Sequence, residues 1–110
     1  MAPRHSRRRL RGFLDGTEPV DPAQLRSHRD CKLGRWIYSE GMSRYGRLPE
    51  MCELEKKHKW MHGTARQVVS LRRSGDVYGA ELEFEKVRAL SDEVVGLLTR
   101  LEKQVTPGST

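Results

Sequence analysis

The sequence predicts an all-α protein: an antiparallel four-helix bundle with a short irregular segment between the second and third long helices. Three observations carry this expectation. A stripe of apolar residues runs at helical spacing through the last third of the chain, and paired helix start and stop signals divide the rest into segments. The composition, 35% hydrophobic but only 6% aromatic, suits a core of Leu, Val, Ala and Met better than an aromatic-rich β-sandwich. At 110 residues there is room for one domain with one modest core, expected over residues 1–106 with 107–110 as a disordered tail.

The last helix is the clearest. Ala80, Phe84, Val87, Ser91, Val94, Leu98, Leu101 and Val105 alternate spacings of four and three, the pattern of a long helix packed on neighbours. Asp76 after Gly75 is its expected N-cap, and Pro107-Gly108 ends the pattern. The preceding helix is expected from Pro49 to about Arg73, with Leu48 at its start and Ser74-Gly75 as its stop. Its inward face reads Met51, Leu54, His58, Met61, His62, Ala65, Val68, Val69 and Leu71. Upstream, Gly41 to Gly46 reads as a loop or a short helical turn between glycines. A second helix is expected from Pro22 to about Glu40, capped by Asp21, with Leu25, His28, Leu33, Trp36 and Ile37 inward. Gly34 within it implies a break or close packing, since Gly costs about 1 kcal/mol against Ala in a helix. The opening helix runs from near Pro3 to Leu14 and is closed by Asp15-Gly16.

The charge is unevenly placed. The chain carries 21 Lys+Arg against 15 Asp+Glu, a net +6, and five of the arginines (Arg4, Arg7, Arg8, Arg9 and Arg11) precede the first acid, Asp15. Alone, that cluster suggests an arm for RNA, DNA or anionic lipid, but no nucleic-acid reader motif or aromatic platform accompanies it. Interleaved with His5, Leu10, Phe13 and Leu14, the arginines read instead as the solvated face of the first helix. The basic N-terminus lacks a following apolar stretch and no run approaches the roughly 20 apolar residues of a bilayer span, so a cytoplasmic protein without membrane insertion is expected. A single disulfide between Cys31 and Cys52 is improbable in that compartment.

The candidate chemistry lies in histidine and cysteine. His58 and His62 stand four apart on one helix and project from the same face, although such a pair alone more often marks two partly buried polar residues. Cys31 on the neighbouring segment and His5 on the first helix extend the set. Three imidazoles and one thiolate would make a closed four-coordinate site matching the tetrahedral preference of zinc. Such a closed shell disfavours hydrolytic chemistry, and no catalytic dyad, phosphate-cradling glycine loop or paired-carboxylate site is apparent, so no enzymatic activity is expected. His28 reads as a packing or ligand-orienting residue, Cys52 as a bystander thiol, and Trp36 and Trp60 as core or dimer surface.

The segment Cys31-x-Leu33-Gly34-x-Trp36 with Tyr38, followed by Tyr45, Pro49, Leu54-Glu55, His58 and His62, resembles the chemoreceptor zinc-binding (CZB) domain family. Arg9-Leu10-Arg11-Gly12-Phe13-Leu14-Asp15-Gly16 is similar to that family's first helix and its exit, although Arg8 stands where members usually carry a Trp. The resemblance implies a zinc-binding helical bundle with His5, Cys31, His58 and His62 as ligands of Zn2+. It further implies a homodimeric sensor of zinc or oxidant, with Cys31 as the redox-sensing residue, regulating a signalling protein of the chemoreceptor or diguanylate cyclase type. A small basic nucleic-acid-binding protein using the arginine cluster is the alternative.

Overall fold

A computed structural model of the chain describes residues 3–17, 19 and 27–105, with side chains placed from Arg8 to Gln104 among them. Helices α1 (Pro3–Leu14), α2 (Lys32–Trp36), α3 (Met42–Tyr45), α4 (Pro49–Arg73) and α5 (Val77–Val105) follow in order. A π-helical stretch, Ile37–Gly41, joins α2 to α3 without a break, so the described residues form four helical segments and no strand. The molecule measures 51 × 21 × 20 Å, its length set by α4 and α5 lying along one another.

Local chemistry explains where α4 and α5 start and stop. Pro49 occupies the first turn of α4, where its missing N–H is no loss. At the other end Gly75 takes φ +93, a left-handed conformation that costs glycine nothing. There the Asp76 N–H reaches back to the Leu71 carbonyl and the Gly75 N–H to that of Arg72, a Schellman closure. The chain turns at once into α5, where the Asp76 carboxylate accepts the Gly79 N–H at 2.8 Å. The hairpin's register is marked by the ion pair of Lys57 and Glu93 at 3.0 Å, each far from the turn.

The expected inward face of α4 is largely buried: Met51, Leu54, His58, Met61, Ala65, Val68 and Val69 are inside, with His62 and Leu71 half-buried. On α5, Ala80, Phe84, Val87, Ser91, Val94 and Leu101 are buried as expected, but Leu97 takes the place assigned to Leu98, which is half-buried. Spacings of three-then-four and four-then-three both fit a period of 3.6 residues, and the stripe's slow drift round the helix selects between them. The side chain of Val105, and residues 106–110 with their proposed tail, lie outside the described residues.

The second helix departs from expectation. Asp21, Pro22 and Leu25 lie outside the described residues, but Ser27 to Asp30 form a turn and helix begins only at Lys32. Ser27 drives the difference: its hydroxyl accepts the Arg29 N–H at 3.1 Å and its carbonyl the Asp30 N–H at 3.0 Å, so the backbone bonds locally instead of entering a helix. Of the two readings of Gly41 to Gly46, a loop or a short helical turn, the structure has the second, with Met42–Tyr45 forming α3. Leu33 and Ile37 are buried as expected; Trp36 packs half-buried against the core, and Trp60 is exposed beside Lys57.

Helix α1 contributes Leu10 and Leu14 to the common core and closes with a second Schellman turn at Gly16. Arg11 fastens it to α5. Its guanidinium donates to both Glu81 oxygens at 2.8 and 2.5 Å, also pairs with Asp15, and lies 4.8 Å from the Phe84 ring centroid. The pairing holds the Glu81 carboxyl below its ordinary range. Arg11→Met is expected to lower unfolding free energy by on the order of 1 kcal/mol in urea titration, modest because the two side chains are 35% and 40% exposed. Adding Glu81→Gln should cost little more, because the two groups act as one unit.

Candidate metal centre

On α4, His58 and His62 are separated by one helical turn, with ring centroids 4.6 Å apart and planes near perpendicular. His58 is 1% exposed. Burial first, and then the neighbouring His62 and His28, push its pKa down to about 3, so the ring is neutral and able to act as a ligand at physiological pH. Its Nδ1 is buried with no hydrogen-bond partner. Such an orphaned nitrogen is uncommon in a packed interior and marks the ring as one whose polar atoms the apolar core alone does not satisfy.

Cys31 reaches this pair from the turn before α2. It is the N-cap of α2, and its sulfur receives the Gly34 N–H at 3.3 Å. The same sulfur stands 3.1 Å from His58 Nε2. This approach depends on Gly34. A Cβ there would meet the His28 carbonyl oxygen at 1.8 Å and its carbon at 2.8 Å, so the turn can fold over α2 only where residue 34 has no side chain. Of the two readings of Gly34, a break or close packing, the structure has the second.

The donor atoms of Cys31, His58 and His62 all lie within 4.8 Å of one another. Zinc with Zn–S near 2.3 Å and Zn–N near 2.0–2.1 Å has tetrahedral edges of about 3.3–3.6 Å, so side-chain shifts of roughly 1 Å would complete the geometry. One thiol and two imidazoles fit the borderline character of that ion. His28 is not among the clustered donors. Its ring lies edge-on to His58 at 6.4 Å and to Tyr38 at 5.7 Å, a packing role as expected, and burial followed by nearby cationic side chains lowers its pKa. His5 belongs to α1, but its side chain lies outside the described residues. Cys52 is exposed and free, its thiol directed at the Gly46 carbonyl at 3.5 Å, and Cys31 is also free.

A helical domain that gathers a thiol from a turn and two imidazoles from one long helix has the make-up of a small metal-binding domain. The chain belongs to the chemoreceptor zinc-binding domain family, whose profile matches residues 7–69. That span contains Cys31, His58 and His62; His5 falls just before it, and α5 lies beyond it. Neither curated proteins nor solved structures give a match.

Sequence reasoning placed Cys31 inside a helix and missed that it caps one. The signal lay in Ser27 and Asp30, residues that favour turns, followed by a glycine where the turn must pass. Gly34→Ala is expected to displace the Cys31 turn and to weaken zinc binding at least tenfold in chelator competition, whereas Gly63→Ala, with open space around its Cβ position, should leave it unchanged. Acid should destabilise the zinc-free domain. His58 takes up its proton near pH 6.5 when unfolded but only near pH 3 when folded, so its contribution is complete above about pH 6.5 and is lost progressively below it. Urea titrations of the zinc-free protein at pH 7.5 and 5 should differ by roughly 1–2 kcal/mol, and His58→Gln should reduce that difference.

Proposed function

We propose that this chain is a zinc-binding sensory domain without catalytic activity, holding one zinc ion through His5, Cys31, His58 and His62. The observation that carries the reading is the convergence of Cys31, His58 and His62 within 4.8 Å in a chain of this family. His5, which belongs to α1, is taken as the fourth ligand from the resemblance to the family.

Bound zinc would keep the Cys31 sulfur as thiolate, the form that oxidants attack first. Occupancy also couples to structure, because the ligands sit on separate elements: α1, the turn before α2, and α4. Loss of zinc, or oxidation of Cys31, frees the turn from α4 and re-packs the bundle. In a cytoplasmic homodimer that change would pass to a signalling partner of the chemoreceptor or cyclic-di-GMP type. The nucleic-acid alternative has one arginine of the cluster fewer to draw on, because Arg11 is engaged with Asp15 and Glu81.

Protein purified without added metal should carry one zinc per chain by elemental analysis. His58→Ala and Cys31→Ser should each abolish stoichiometric retention, and His5→Ala should weaken it. Full retention in both of the first two variants would overturn the assignment.

A further inference from the structure

Tyr38, in the π-helical stretch, is half-buried and packed against the core. Two partners hold its ring: the His28 ring meets it edge-on with centroids 5.7 Å apart, and the Arg29 guanidinium lies 4.2 Å over its ring centroid. His28 and Arg29 belong to the turn that delivers Cys31. The His28 ring lies in turn edge-on to His58 of α4, with centroids 6.4 Å apart. One side chain therefore backs the turn where it meets the candidate centre.

We propose that Tyr38 is a positioning residue for the metal centre, clamping the turn that carries Cys31 through His28 and Arg29 and thereby setting how closely the sulfur approaches His58. Gly34 permits the turn to come down; Tyr38 holds it there. The turn's own hydrogen bonds, from Arg29 and Asp30 to Ser27, fix its internal shape but do not tie it to α4. The π-helical stretch suits the task, since the Met42 N–H reaches the Ile37 carbonyl five residues back and such single-turn insertions recur at functional sites. With the clamp released, the thiol departs from the imidazoles more often. The metal is then held less tightly and the sulfur is more accessible to solutes. This inference rests on the zinc-binding reading of Cys31, His58 and His62.

The test measures two quantities in a Cys52→Ser background, which removes the exposed second thiol. One is zinc affinity by competition with a chromophoric chelator; the other is the rate at which a neutral disulfide reagent modifies Cys31 in the zinc-free protein. Tyr38→Leu is expected to weaken zinc binding at least tenfold and to speed Cys31 modification several-fold. Tyr38→Phe keeps both ring contacts and should recover most of the affinity. Arg29→Gln, at an exposed position, should give a smaller loss in the same direction. A folded Tyr38→Leu protein with wild-type affinity and wild-type Cys31 reactivity overturns the inference while leaving the zinc site in place. Should that variant fail to fold, the same outcome in the Tyr38→Phe/Arg29→Gln double variant overturns it. A parent protein that binds no zinc overturns both this inference and the reading beneath it.

Discussion

The close passage of the His28–Asp30 turn over Gly34 is the contact on which the candidate centre depends. His58 and His62 would face the same way in any helix of this sequence, because a spacing of four is one turn. A thiol joins them only if the chain before α2 can come within contact of that helix's backbone, and here a carbonyl oxygen occupies the space a Cβ would need. The consequences extend in both directions from this contact. Cys31 becomes the N-cap of α2 through the Gly34 N–H, so the sulfur is anchored by the helix it starts. It also faces His58 Nε2, so the two elements meet at the chemistry itself.

The rest of the molecule makes that meeting possible. The α4–α5 hairpin is a rigid back wall: Leu54, Met61, Ala65 and Val68 pack with Phe84, Val87 and Val94 in one apolar cluster. Two buried polar side chains interrupt it, His58 and Ser91, and each has an atom without a hydrogen-bond partner. Buried polar groups are tolerated where they serve a site, and for His58 the neutral ring forced by burial is the state in which imidazole can bind a metal. The apolar packing that stabilises the hairpin thus also prepares the ligand.

Electrostatics divides between the two ends. Where α1 ends, Arg11 joins Asp15 of its own exit to Glu81 of α5, which turns one member of a conspicuous arginine cluster into a structural clasp. Around the candidate centre the cationic contact is of another kind, Arg29 over the Tyr38 ring, and it bears on the turn that carries the sulfur. A count of charges by type would group these arginines together, but one is spent holding α1 to α5 and the other stacks on the aromatic that faces the metal turn.

Much of the fold was legible in the sequence where local rules act alone. Pro49, Gly75, Asp76 and Gly16 mark helix boundaries because proline lacks a donor, glycine accepts a left-handed φ, and aspartate accepts a free N–H. The faces of α4 and α5 followed from a 3.6-residue period, with the choice between Leu97 and Leu98 left to packing. The segment before α2 was misread, because Ser27 and Gly34 act through a turn and a close approach that helical periodicity does not encode. By itself, then, the sequence determined an all-helical chain, the two histidines on one face of α4, and the resemblance that names the family. Only the tertiary structure decided that Cys31 caps a helix, that its sulfur meets His58, and that Tyr38 packs on the turn that carries that sulfur. Those are distances between residues far apart in the chain, and they exist only once the hairpin has buried its apolar face and the turn has settled over a glycine.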